Sequence, residues 1–98
     1  MNRAPGISES AAKILDEYFA KYVPDCEVWA YGSRTTANFR PQSDLDFVVF
    51  TADRRAVSAL AEALDESRLP FRADIFIWDD IPESFKDNIR KCHIVLRG

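Results

Sequence analysis

Residues 28–47 read Val-Trp-Ala-Tyr-Gly-Ser-Arg-Thr-Thr-Ala-Asn-Phe-Arg-Pro-Gln-Ser-Asp-Leu-Asp-Phe, and this stretch decides the fold. It joins two apolar runs through a polar loop. Residues 27–31 predict a strand because aromatic and β-branched residues dominate them. The run from Leu45 to Phe50 is almost continuously apolar, which predicts a strand in the centre of the sheet. Residues 32–43 contain glycine, proline and several small polar residues, so we predict a loop there.

The flanking segments predict helices. Apolar residues recur at helical spacing over residues 8–22, with Ser8 or Ser10 as the N-cap and Pro24 as the stop. A second helix is predicted from Asp53, as its cap, to about Arg68. Its apolar face is formed by Val57, Leu60, Ala61 and Leu64.

The last third of the chain predicts strand, helix and strand. Residues 71–78 favour a strand, and Asp80 with Glu83 matches a capping box for a last helix. This helix is predicted to turn three side chains inward: Phe85, Ile89 and Cys92. Residues 93–96 predict a fourth strand at the sheet edge. The fold class predicted for residues 1–98, as a single domain, is therefore α/β (α+β), a mixed sheet of three to four strands with helices packed on it.

Composition narrows the classes of function. The formal net charge is −3. Proteins that bind a long nucleic acid usually have a basic face, so the acidic balance argues against that class of function. The two cysteines, Cys26 and Cys92, lack metal-binding spacing and predict reduced, mostly buried thiols. No signal peptide or membrane span is indicated. We therefore expect a cytoplasmic protein that acts on a small substrate or on another protein.

Two acidic residues mark the start of the central strand. Asp44 and Asp46 are two positions apart, so both carboxylates project from the same face, about 6.6 Å apart along the backbone. Carboxylate oxygens are the ligands that Mg²⁺ prefers. The alternative is that a polar start simply marks where a buried strand leaves solvent.

A third carboxylate, Asp74, lies within the apolar run 71–78. A lone carboxylate among apolar neighbours calls for a partner, either a metal or a cation such as Arg72. If this strand lies beside the central one, Asp74 reaches the same site. Gly32 and Ser33 open the loop after the first strand, where glycine lets the backbone approach a phosphate and serine can donate a hydrogen bond to it. A plain turn is the alternative for that pair.

The combined pattern, Gly-Ser followed after ten residues by Asp-x-Asp and later by an aspartate on a strand, resembles the DNA polymerase β-type nucleotidyltransferase superfamily. Within it the chain is most similar to the minimal nucleotidyltransferases (MNT proteins), catalytic domains found beside a helical HEPN partner. The resemblance covers nearly the whole chain, including residues 28–34 and 43–47.

The resemblance implies a role for each matched residue. Gly32 and Ser33 would hold the triphosphate, with Arg34 and Ser43 as further nucleotide-binding candidates. Asp44 and Asp46 would bind two Mg²⁺ ions; Asp74 would share one of them and help to deprotonate the attacking hydroxyl. The loop departs from the family after Arg34, where a second arginine and a glycine are missing and Arg40 is the replacement candidate.

The implied reaction transfers a nucleoside monophosphate, AMP from ATP, to an acceptor hydroxyl. By association with the family, the acceptor is a tyrosine of a HEPN toxin, which would make this chain an antitoxin in a hetero-oligomer. Two alternatives stay open: a subunit that modifies small molecules in the manner of aminoglycoside nucleotidyltransferases, and a non-catalytic module that neutralises its partner by binding. Four aromatic residues are candidates for an interface, for base contact or for plain core packing: Trp29, Tyr31, Phe39 and Trp78.

Overall fold

The computed structural model describes residues 6–32 and 44–97 of the chain. Its helices are α1 (Glu9–Tyr22), α2 (Arg54–Asp65) and α3 (Glu83–Lys91), and its strands are β1 (Val28–Tyr31), β2 (Leu45–Val49), β3 (Ala73–Ile77) and β4 (Ile94–Arg97). A short 3₁₀ turn, Trp78–Asp80, links β3 to the segment before α3. The predicted order of elements is confirmed.

The four strands form one mixed sheet in the order β3-β2-β1-β4. The helix-length connection through α2 makes β2 and β3 parallel, whereas β1 is antiparallel to both β2 and β4. The sheet therefore has β2 in its interior and β4 at an edge, as predicted from their apolar patterns.

One face of the sheet packs against α1 and α2 and carries the main core. Strand alternation turns Ala30, Phe47 and Val49 toward these helices, where each is fully buried. The ring of Phe19 from α1 meets that of Phe47 edge-on, with centroids 5.5 Å apart. Burial of this face provides most of the apolar stabilisation of the fold.

The predicted caps of the first two helices are confirmed. The Ser8 hydroxyl accepts a hydrogen bond from the Ala11 backbone N–H at 3.2 Å, and the Asp53 carboxylate accepts one from Ala56 at 3.1 Å. Each bond satisfies a backbone donor that the first turn of a helix leaves without a partner. The second helix ends at Asp65, three residues before the predicted end.

The predictions for the last helix are partly wrong. Asp80 does not cap it: α3 begins after Pro82, with no side-chain cap, because a residue before proline, here Ile81, favours extended backbone. Of the side chains predicted to point inward, only Ile89 is buried. Phe85 is 60% exposed, and Cys92 is exposed as well. Because Cys92 is exposed and Cys26 only partly buried, the prediction of two mostly buried thiols is also wrong.

Aromatic rings anchor the ends of α3 to the second face of the sheet, the face away from α1 and α2. Trp29 stacks on His93, which follows α3, with centroids 3.9 Å apart, and meets Trp78, which precedes it, at 5.6 Å. Lys86 and Arg90 of α3 lie over the Trp78 ring. Trp29 and Trp78 are thus explained by packing, and Phe39 lies outside the described residues.

Candidate active site

Strand register brings the predicted carboxylates together on the second face of the sheet. Asp46 of β2 lies directly beside Asp74 of β3 in the parallel pair, and Tyr31 of β1 lies beside Asp46 on its other side. Facing residues of neighbouring strands have their side chains on the same face. Asp46 is therefore flanked by a carboxylate on one side and a phenol on the other.

The predicted loop glycine lies close to this group. Gly32 directly follows β1 and has a φ of +98°, in the region that favours glycine. A Cβ at this position would lie 2.9 Å from the Asp46 Oδ2 atom, too close for any other residue without displacing that carboxylate. The glycine thus has a structural purpose beyond a turn, because it gives the backbone close access to the acidic centre.

The charge of Asp46 is disfavoured in the free protein. Partial burial, followed by the charges of Asp74 and Asp44, raises the pKa of Asp46 to about 6. The same environment raises the pKa of Tyr31 to about 12, through burial first and then through Asp46 and Asp74, so this phenol stays protonated at neutral pH. Groups of like charge held together in this way form a site that a cation would stabilise.

Asp74 also has a local partner. The Arg72 Nε atom donates to Asp74 Oδ1 at 3.2 Å, so the alternative of an ion pair with Arg72 is present in the structure. The arginine side chain is 72% exposed and the aspartate 31%. Water screens such a pair, and it contributes little to stability. Asp74 therefore stays accessible to a divalent cation despite its ion pair with Arg72.

Carboxylate oxygens suit Mg²⁺, and the donors here fit it as a partial coordination shell. Within residues 6–32 and 44–97, no group of three or more His, Cys, Asp or Glu side chains converges closely enough to hold a metal ion alone. Mg²⁺ is commonly held by one or two carboxylates, with waters and substrate phosphates filling the other positions. Asp46 and Asp74 match that requirement, and Asp44, exposed just before β2, is the third candidate.

The sequence-predicted site residues thus divide into three sets. Gly32, Asp46 and Asp74 lie together, and Asp44 is near enough for its charge to affect Asp46. Ser33, Arg34, Arg40 and Ser43 lie outside the described residues. The role of Tyr31 beside the carboxylates was not predicted. Its position directly before Gly32 was the available signal, but the register that turns it toward Asp46 is not readable from one sequence.

A groove starts at Asp46 and was not predicted either. It has a volume of about 780 Å³, and its lining includes Tyr31, Asp46, Phe76 and Phe85. Phe76 lies two residues after Asp74 on β3, so alternation alone would have placed both on one face. The Arg54 guanidinium lines the groove as well and donates to both Asp80 carboxylate oxygens, at 2.5 and 2.6 Å. This ion pair lowers the pKa of Asp80.

A mixed α+β sheet with an acidic centre on two adjacent strands and a glycine against it is the arrangement expected of a nucleotidyltransferase. The chain belongs to the family described as "Polymerase beta, Nucleotidyltransferase", whose model matches residues 13–97. The predicted fold, the enzyme class and the identification as a minimal nucleotidyltransferase are confirmed.

One relative agrees with this assignment, and two solved structures share the fold. The chain is 35% identical over 94 residues to "Probable protein adenylyltransferase MntA" of Haemophilus influenzae, covering 93% of this chain and 82% of the relative. The fold is similar to a crystal structure of a toxin–antitoxin with AMP-PNP (TM-score 0.74, 20% identity, 89% of this chain and 73% of the other). It is also similar to a crystal structure of a mutant of the toxin–antitoxin MntA–HpeT (TM-score 0.73, 18% identity, 89% and 73%).

No helix within the described residues is long and apolar enough to cross a membrane.

Proposed function

We propose that this nucleotidyltransferase uses Mg²⁺ to transfer AMP from ATP to a tyrosine hydroxyl of a HEPN-domain partner, and thereby acts as an antitoxin. Support comes from the protein adenylyltransferase relative, which is 35% identical. The observation that carries the proposal is the close approach of the Gly32 backbone to the Asp46 carboxylate, which leaves no room for a Cβ and lies beside Asp74.

The proposed reaction balances as a displacement at the α-phosphorus. The tyrosine oxygen forms a new bond to that phosphorus, the bond between the α-phosphorus and the bridging oxygen to the β-phosphate breaks, and pyrophosphate leaves. Asp74 accepts the proton of the attacking hydroxyl. When bound, Mg²⁺ neutralises charge on the phosphates and activates the nucleophile.

Each side chain has a part that follows from its position. Asp46 and Asp74 would hold Mg²⁺ at the phosphate end of the nucleotide, and Asp44 would be a further ligand. Gly32 allows the triphosphate to approach the backbone next to Asp46, and Ser33, Arg34 and Ser43 are proposed to bind its oxygens. Tyr31 stays neutral and forms a wall that limits water access to Asp46.

The proposal is tested by incubating the protein with Mg²⁺, labelled ATP and the purified protein encoded by the neighbouring gene. We expect label on the partner with the wild type, and loss of labelling by at least about a hundredfold in Asp44→Asn and Asp46→Asn. Asp16→Asn, which changes an exposed acid on α1, is the matched control and should label normally.

The outcomes separate the remaining alternatives. Absence of labelling with all four nucleoside triphosphates would refute transfer. Neutralisation of the partner by Asp46→Asn at full strength would favour a binding module, and labelling of an aminoglycoside in place of the protein would favour a small-molecule enzyme.

A further inference from the structure

The groove that starts at Asp46 has the size and position of a substrate site. Its volume of about 780 Å³ lies within the range of about 300–1,000 Å³ that is common for ligand pockets. It runs from Tyr31 and Asp46 past Phe76 of β3 to the start of α3. It therefore reaches Asp46, one of the carboxylates at which the transfer is proposed.

Exposed aromatic rings give this groove an apolar character. Three large hydrophobic side chains are exposed within the described residues, and two of them, Phe76 at 43% and Phe85 at 60%, line it. The third, Val95, lies on β4, at the edge of the sheet opposite to β3. Exposed apolar side chains that cluster in one place indicate a binding surface.

The charges of the described lining of the groove disfavour a triphosphate. Its described lining contains two carboxylates, Asp46 and Asp80, and a single guanidinium, Arg54, which is already bonded to both oxygens of Asp80. A triphosphate needs cations or backbone N–H groups that are free to bind it. Gly32, the residue next to the predicted phosphate loop, is not part of the lining. Because Arg54 and Asp80 compensate each other, Asp46 is the uncompensated charge of this described lining, and it favours a neutral or basic occupant over an anionic one.

We propose that this groove is the acceptor site, and that it seats a tyrosine-bearing segment of the acceptor protein with apolar and basic neighbours. Phe85 contacts the apolar residues beside the acceptor tyrosine. Phe76 contacts the ring of that tyrosine, whose hydroxyl then reaches Asp46. Phe76 and Phe85 are then specificity-determining residues. This inference rests on the proposed transfer to a tyrosine.

The test measures transfer of label from ATP to two short synthetic peptides, each with one tyrosine. The first has leucine and lysine around the tyrosine, and the second has serine and glutamate. The first peptide should be the better acceptor by at least about tenfold in kcat/KM. Phe85→Ala should raise KM for that peptide about tenfold and leave KM for ATP unchanged, because a buried phenyl contact is lost only on the acceptor side.

Two variants control this experiment. Val95→Ala removes an exposed apolar side chain of the same sheet outside the groove and should leave all parameters unchanged. Phe85→Leu keeps an apolar side chain and should retain most of the acceptor affinity. This result is expected if Phe85 contacts the acceptor through its apolar surface. Phe76→Ala should lower kcat/KM for both acceptors without changing KM for ATP.

The results that overturn the inference differ from those that overturn the transfer itself. Equal KM values for Phe85→Ala and wild type, a preference for the serine–glutamate peptide, or a raised KM for ATP in either phenylalanine variant would refute the acceptor groove. Labelling of the neighbouring gene's protein but of neither peptide would refute it too. Absence of label on every acceptor would refute the proposed function.

Discussion

Replacing Asp46 with asparagine should stabilise the protein in the absence of metal, even though the same change should abolish transfer. The carboxylate lies beside Asp74 and partly out of water, which raises its pKa to about 6. An asparagine at this position would keep the shape of the side chain and remove the charge. Active sites commonly hold such destabilising groups because function requires them.

The size of the effect follows from the pKa. A rise from 3.8 to about 6 corresponds to about 3 kcal/mol at roughly 1.4 kcal/mol per pH unit. Because Asp46 is only half-buried, water screens part of this interaction, and we reduce the expected gain to about 1–2 kcal/mol. For a domain of this size, that gain corresponds to a rise in Tm on the order of 4–16 °C.

The pH dependence has a defined sign. Since the folded pKa is raised above the unfolded value, the folded state binds more protons than the unfolded state between pH 3.8 and about 6. The stability contributed by protonated Asp46 is therefore fully present below pH 3.8 and is lost as the pH rises through about 6. The wild type should gain stability from this group when the pH falls from about 7.5 to about 5, and Asp46→Asn should lack that gain.

The assay is urea unfolding in EDTA, followed by tryptophan fluorescence, at about pH 7.5 and about pH 5. Asp74→Asn and the double variant complete a double-mutant cycle, in which the gain from Asp46→Asn should shrink once Asp74 is neutral. Addition of Mg²⁺ at the higher pH should stabilise the wild type more than Asp46→Asn. Equal or lower stability of Asp46→Asn in EDTA at the higher pH, or equal pH dependence of the two proteins, would refute the reasoning.

Three further substitutions test the framework of the site. Gly32→Ala should lower the free energy of unfolding in urea by about 1–2 kcal/mol, because the position has a φ of +98° and its Cβ would meet Asp46 Oδ2. The rate of transfer should fall about a hundredfold, and near-normal kinetics would contradict the close approach of Gly32 to Asp46. Phe47→Ala should cost about 3–5 kcal/mol by the same measurement, since the ring is fully buried against Phe19, and a loss below about 1 kcal/mol would disprove its place in the core. Ser8→Ala should cost about 1 kcal/mol as the cap of α1, with Ser10→Ala as the smaller control; the reverse order would reassign the cap.

Local patterns were sufficient to predict most of the fold. Helical spacing in α1 and α2, the apolar run of β2 and the length of the connection to β3 each depend on neighbouring residues or on simple geometry. The predictions that failed depend on distant residues. Asp80 matched a cap pattern, yet its carboxylate binds Arg54, 26 residues earlier, while Pro82 delays the start of α3. Phe85 was assigned to the core because it is apolar, but its surroundings expose it.

The site was predictable where it depends on strand alternation and glycine geometry. Asp44, Asp46, Asp74 and Gly32 were recognisable as residue types at defined spacings. The pairing of Tyr31 with Asp46 and the groove beside Phe76 require the register of three strands, which one sequence does not determine. The roles assigned to Ser33, Arg34 and Ser43 stay predictions from the family resemblance.

The central claim, transfer of a nucleoside monophosphate, is tested most directly by comparing two labelled forms of ATP. The protein is incubated with Mg²⁺ and its partner in the presence of ATP labelled at either the α- or the γ-phosphate. We predict that the α-label becomes covalently attached to a partner tyrosine, while the γ-label leaves as pyrophosphate. Attachment of the γ-label, or of neither label, would contradict transfer of a nucleoside monophosphate.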